Sequence, residues 1–340
     1  MPLDDQISRS IQTTTLAVLD KYQNIKEWLG TEWLRQQATD NFRRGVGPLV
    51  ELLYLVGRED VGPEVNGYFR PAFDELDRLI NIAVRRWSST LSQKAQEITA
   101  DMNFRNARRT WWAFLDELCW FKYLSSDAAL DRELTWTEGD GPDFSLGQWD
   151  LEVTRIETEE RDYFEEKLKT SDAWMRWNLT ICGAPNNVVE AEKLWIDFNR
   201  YVRHQSEGTG FKWQMRDMEI QGKWVGKRMG YMDTTNFNRL TSPDDLHHKL
   251  NEKIQQKASQ AQSGRPMVVA VDMQDAARFP NNAVVDDSQL AWSSRVDALV
   301  PFWFRLDTYD IWRLKFHANS RSTQAAVIGR WFPERSSALI

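Results

Sequence analysis

Gly141-Pro-Asp-Phe-Ser-Leu-Gly-Gln-Trp-Asp-Leu-Glu-Val-Thr-Arg155 is the stretch on which the reading of the fold turns. Two short runs of strand character flank the turn signal Gly147-Gln148, with Asp143 opening the first and Glu152 inside the second. Strand alternation points Glu152 away from its neighbours Leu151 and Val153. A hairpin through Gly147 then brings Asp143 and Glu152 side by side. Two carboxylates at that separation repel, and both stay ionised cheaply only with a cation between them. Hard oxygen ligands select Mg²⁺ or Mn²⁺ over zinc. Such an ion can activate water and neutralise charge on a phosphodiester.

Upstream, apolar spacing predicts a helix from about Phe104 to Leu124. Glu117 lies on its apolar face, between Ala113 and Phe114 one turn before and Trp120 and Phe121 one turn after. A glutamate there is costly unless it meets a cation or hydrogen-bond donors. Strand-like runs follow at Leu134–Thr137, Asp143–Leu146 and Trp149–Ile156. Residues 159–206 read as mainly helical. Phe211–Ile220 and Lys223–Tyr231 alternate about Gln221-Gly222, as a hairpin would. Ser242-Pro-Asp-Asp opens a helix reaching about Gln262, with Ser242 as N-cap and Pro243 at the first helical position. Met267–Val271 reads as a buried strand, with further strands at Ala298–Arg305 and Ile311–Phe316. A helix, three strands, helices and a buried strand make an α/β core.

Residues 1–102 read instead as an α-helical domain. Ile7, Ile11, Leu16, Leu19, Tyr22, Ile25 and Leu29 recur at helical spacing up to Gly30. A second run carries Leu34 to Leu55, broken after Gly57. Pro71 suits the first turn of a third helix, whose stripe is Phe73, Leu76, Leu79, Ile80 and Ala83. Nothing in this region points to chemistry, and its expected role is structural or the binding of a protein partner.

Glu117 on a helix, then Pro142-Asp143, then Glu152-Val-Thr154 resembles the PD-(D/E)xK, or restriction-endonuclease-like, phosphodiesterase core. The resemblance covers about half the chain. It implies an α/β fold with an αβββαβ core over residues 103–340, interrupted by a helical and hairpin insertion at about 157–243. It also implies that Asp143 and Glu152 bind Mg²⁺ or Mn²⁺, with Glu117 supporting. That family places a lysine two residues after the second acid, and here Thr154 stands there. Lys249, Lys253 and Lys257 lie four apart on one face of the helix preceding Met267–Val271. Lys253 or Lys257 could supply the missing charge, whereas alternation turns Arg155 to the opposite face. The competing reading of these residues is structural: Asp143 caps a turn, Glu152 pairs with Arg155 or Lys122, and Glu117 snorkels to the surface.

Composition narrows the partners. The net charge of −7 argues against a protein that coats nucleic acid indiscriminately. A local patch is still compatible, because Lys212, Lys223, Lys227 and Arg228 interleave with Trp213 and Trp224. Cations hold phosphates and indoles stack on bases, so this segment suits contact with DNA or RNA. Arg105, Arg108 and Arg109 are weaker candidates for phosphates. The 17 Trp and 16 Phe should mostly fill cores. Cys119 and Cys182 sit in apolar surroundings and read as buried thiols. The first residues lack the apolar core of a signal peptide, and no apolar stretch is long enough to span a bilayer. The expected location is cytoplasmic, without membrane contact. No HExxH, GxSxG or GxxxxGK[ST] is present, and nothing else supports a glycosidase. Two functions stay open: a metal-dependent nuclease, and a nuclease-like module that has lost hydrolysis and binds nucleic acid or a protein.

Overall fold

The computed structural model describes residues 5–34, 48–58, 63–100, 104–139, 141–156, 159–169, 171, 176–226, 232–236, 243–261, 264–274, 285–333 and 335–336. In chain order the helices begin with α1 (Asp5–Leu19), α2 (Gln23–Leu29), α3 (Pro48–Gly57), α4 (Pro63–Arg86), α5 (Ser88–Ala100), α6 (Phe104–Ser125) and α7 (Ala128–Glu133). Strands β1 (Leu134–Trp136), β2 (Phe144–Leu146) and β3 (Trp149–Arg155) follow, then α8 (Glu159–Lys169), β4 (Trp177–Cys182) and α9 (Val188–Val202). Next come β5 (Phe211–Met215), β6 (Met218–Trp224), β7 (Met232–Asn236), α10 (Pro243–Lys257) and β8 (Met267–Asp272). The chain closes with β9 (Ala298–Arg305), β10 (Asp310–Leu314), β11 (His317–Ala318), α11 (Ala325–Gly329) and β12 (Arg335–Ser336). The protein is thus mixed α/β. No helix among the described residues is long and apolar enough to cross a membrane.

Two compact units divide the chain. One comprises residues 1–77, 95–111 and 157–239; the other comprises 78–94, 112–156 and 240–340. The boundary expected at 102–103 therefore does not separate them: residues 78–94 belong with the second unit, and 157–239 with the first.

In the second unit a mixed sheet runs β1-β2-β3-β8-β9-β10-β12, with β11 also on β9. β1, β2 and β3 form an antiparallel meander. β3 pairs with β8 in parallel, and β8 with β9 in parallel. A parallel pair needs a crossover, and the helix that precedes β8 is α10. Every residue of β8 is buried, as expected of a central strand covered on both faces. On one face Leu246, Leu250, Ile254 and Ala258, at helical spacing along α10 and just past its end, pack with Met267, Val269, Val271 and Leu299. Each buried Leu, Ile, Val or Met here contributes about 2 kcal/mol. On the other face α6 lays down an aromatic layer. Trp120 meets Phe302 at 5.3 Å, and Phe121 stacks on Trp136 at 5.6 Å. Trp136 also meets Phe144 at 5.2 Å. The β2–β3 turn requires Gly147, whose φ is 54°, and the Glu133 carboxylate covers the space a Cβ would fill.

The first unit corrects three expectations. Within 159–206 lies a strand, β4, with Trp177, Leu179 and Ile181 buried in alternation. It joins the sheet β5-β6-β4-β7. The turn expected at Gln221-Gly222 falls instead at Arg216-Asp217, where Arg216 has φ 55°. Gly222 sits inside β6 because the Phe211 ring occupies the place of its Cβ. Finally, Pro71 lies within α4 and does not open it, the helix beginning at Pro63. Proline removes one helical hydrogen bond there, a cost that the buried stripe Phe73, Leu76, Leu79, Ile80 and Ala83 offsets. The expected N-cap Ser242 lies outside the described residues.

Candidate active site

In the second unit α5, α6, β1, the β2–β3 hairpin and α10 bring charged side chains together. Glu152, on β3, is 2% exposed. Its β3 register sets it beside Val269 of β8, on the face that α10 covers. From that helix Lys257 Nζ donates to Glu152 Oε1 at 2.5 Å. Glu152 Oε2 is buried and accepts no hydrogen bond among the described residues. Asp143, just before β2, accepts at Oδ2 from the Val153 amide at 2.8 Å. It therefore ties the loop ahead of β2 to β3 and does more than cap a turn.

Glu117, on α6, is buried rather than snorkelling. Lys94 Nζ donates to its Oε1 at 2.7 Å, and Trp136 Nε1 donates to its Oε2 at 2.8 Å. Sequence reasoning missed both donors, and Lys94 lies in the region 1–102 whose expected role is structural or partner-binding. A signal was present: Leu91, Lys94, Ala95 and Ile98 share one helical face, and the other three are buried. A lysine on that face requires an acid.

The three carboxylates feel one another. Burial first, then Glu117 and Glu152, push the Asp143 carboxyl well above its usual range, against the pull of Lys94. Burial likewise raises Glu152, opposed by Lys257 and reinforced by Glu117. Their proximity is thus partly relieved by two ammonium groups. Among the described residues no three His, Cys, Asp or Glu are grouped to hold a metal ion. This agrees with Glu117 having both oxygens engaged, which leaves Asp143 and Glu152 as the pair that could coordinate a cation through oxygen. Thr154, half-buried, lies two residues beyond Glu152 on β3. Of the two candidate lysines, Lys257 is the one bonded to Glu152.

The other partners considered for Glu152 are engaged elsewhere. Arg155 donates to Asp116 at 2.9 and 3.1 Å and pairs with Asp272 at 2.6 Å. Asp116 is pushed far up, first by burial and then by Asp272 against Arg155. Burial also pushes the Cys119 thiol up, so it is a poor nucleophile. Lys122 donates to the Thr308 carbonyl and pairs with Asp310 at 2.9 Å. A further contact braces the hairpin. Arg265 donates to Asp150, to Ser145 Oγ, and to the Gly147 and Trp149 carbonyls.

In the first unit, of the two tryptophans of the basic hairpin, Trp213 is packed inward and Trp224 is half-buried. Trp213 is 4% exposed and donates from Nε1 to Asp197 at 2.9 Å. Trp224 meets Trp177 at 5.0 Å. Lys212 pairs with Glu219 at 2.7 Å, and Lys223 is exposed. Lys227 and Arg228 lie outside the described residues. Arg108 is buried against Asp162 and Glu165 and does not present itself to a phosphate.

Compared with protein-family models, curated proteins and solved structures, the chain matches none.

Proposed function

We propose that the chain is a divalent-metal-dependent phosphodiesterase acting on DNA or RNA. One observation carries the reading: buried Glu152 has an unpartnered Oε2 beside Asp143, and a lysine ammonium 2.5 Å from its Oε1. A buried, unsatisfied carboxylate oxygen is costly, and a cation relieves that cost. The order helix, antiparallel β1-β2-β3, helix, parallel β8 supports it too, being the order implied by the PD-(D/E)xK resemblance.

Asp143 and Glu152 would hold Mg²⁺ or Mn²⁺, with water completing the shell, as Mg²⁺ prefers. When bound, the ion lowers the pKa of water and offsets charge on the phosphodiester. Lys257 replaces the lysine absent at Thr154, keeping a fixed positive charge at the carboxylate edge. The Thr154 hydroxyl orients water. Glu117 holds its neighbours in place without coordinating. The exposed Lys223 of β6 offers a phosphate contact elsewhere on the chain.

The test is cleavage of DNA and RNA by the full chain with Mg²⁺ or Mn²⁺. Asp143→Asn and Glu152→Gln should abolish it, and Lys257→Met should lower it roughly 10²-fold. No cutting and no Mn²⁺ binding by the folded wild type would refute the reading. A second reading, a module that binds nucleic acid or protein without hydrolysis, is supported by Lys94 and Lys257 already neutralising two carboxylates. Oligonucleotide binding without metal or cleavage would favour it.

A further inference from the structure

We infer that Lys94 keeps Glu117 out of the ligand set, so that the centre takes one divalent cation and not two. The inference rests on the metal-centre reading above. It follows from where each carboxylate oxygen is spent. Both oxygens of Glu117 are taken, Oε1 by Lys94 Nζ at 2.7 Å and Oε2 by Trp136 Nε1 at 2.8 Å. Trp136 cannot turn aside, because it is 1% exposed and lies against Phe114, Phe121 and Phe144. Glu152 spends Oε1 on Lys257, and Asp143 spends Oδ2 on the Val153 amide. Glu152 Oε2 is left without a partner among the described residues, and Asp143 has a second oxygen, Oδ1, besides the one that accepts from Val153.

Two oxygens suffice for one hydrated Mg²⁺ or Mn²⁺. A second ion, about 4 Å from the first as in two-metal sites, needs further ligands, and the next carboxylate is Glu117. The Lys94 ammonium already stands on it. A dication bound to Glu117 would face that ammonium at close range, and two like charges crowded in a partly buried site are strongly unfavourable. Lys94 therefore acts as a built-in monovalent substitute for the second ion. It is a positioning residue for Glu117, and through its charge it also favours the ionised form of Asp143.

The experiment counts Mn²⁺ bound to the full chain without substrate, by electron paramagnetic resonance of free Mn²⁺ and by calorimetry. Wild type should bind one ion, and so should Lys94→Arg, which keeps the cation. Lys94→Met should bind two, the second more weakly. Glu117→Gln, which keeps the side-chain shape but can accept only one of the two donated hydrogen bonds, should still bind one, and this carries the test if Lys94→Met does not fold. Two ions in wild type, one in folded Lys94→Met, or none in folded Glu117→Gln would each overturn the inference while leaving a metal centre in place. No ion in folded wild type would remove the metal-centre reading, and this inference with it.

Discussion

Replacing Lys257 with Met isolates the ion pair at the centre of the site. Methionine keeps most of the side chain's volume but removes the ammonium, leaving Glu152, at 2% exposure, with no cation at Oε1 and with Oε2 still unpartnered. The folded protein then escapes a buried bare charge by protonating Glu152. At pH 7 that costs up to about 1.4 kcal/mol for each unit between the solution pH and an ordinary glutamate pKa near 4.3, or up to about 3.7 kcal/mol, less the share that the already raised Glu152 of wild type bears. At pH 5 the same sum gives about 1 kcal/mol. The sign follows: the variant holds a proton in the folded state that the unfolded chain has released, so its deficit grows as pH rises. Urea unfolding of wild type and variant without divalent metal, at both pH values, measures it. The double variant Lys257→Met/Glu152→Gln should recover most of the loss, because removing both charges leaves no unpaired ion. A deficit that is the same at pH 5 and pH 7, or below about 1 kcal/mol at pH 7, would refute the reasoning.

Asp143 and Glu152 carry raised pKa values, as does Asp116, so their contribution to stability is fully present below the ordinary carboxylate range and is lost as pH rises through the raised values. Without metal, the melting temperature should therefore rise as pH falls from neutral towards the ordinary carboxylate range, and Asp143→Asn should flatten the slope; an unchanged slope in that variant would remove Asp143 as its source. Arg265→Ala strands the buried Asp150 carboxylate and should cost about 3 kcal/mol in chemical unfolding. Arg265→Lys should recover little, since one ammonium cannot span four acceptors; full recovery would show that charge alone braces the hairpin. Trp213→Phe should leave oligonucleotide affinity unchanged at matched salt, because the indole is packed inside; a fall with the fold intact would return Trp213 to the binding surface.

The second unit's main strands, β1 to β3 and β8 to β10, were legible because they obey local rules, whereas the two-residue β11 and β12 were not expected. β1, β2 and β3 lie within a residue or so of where alternation and Gly147 put them, and α10 ends short of Gln262 but keeps its apolar stripe. Glycine misled in the first unit. Gly222 resembles a turn residue, yet it is glycine because the Phe211 ring crosses it. The true turn carries Arg216 at positive φ, which no glycine announces. β4 was hidden as a six-residue alternation between two helices. At the site, Glu117, Asp143 and Glu152 stood out because acids flanked by apolar residues are anomalous in sequence. Lys94 did not, because its contact is made 23 residues away in the chain and depends on how α5 lies along α6.

The Lys257–Glu152 pair joins residues 105 positions apart, and the intervening chain includes all of residues 157–239, which belong to the other unit. An ordinary crossover between parallel strands takes about a dozen residues. Closing a loop of this length instead costs about 2 kcal/mol more in chain entropy when the intervening chain is unstructured. Contacts with such separation form late and slow the search for the native topology. A nascent chain that has emerged through β3 carries Asp143 and Glu152 but no Lys257, so two of the three carboxylates wait, unneutralised from that side, until roughly a hundred further residues are made. The ion pair is thus a marker of completed folding. Its appearance in time, read by protection of the β3 amides from exchange, dates the moment when β8 docks against β3.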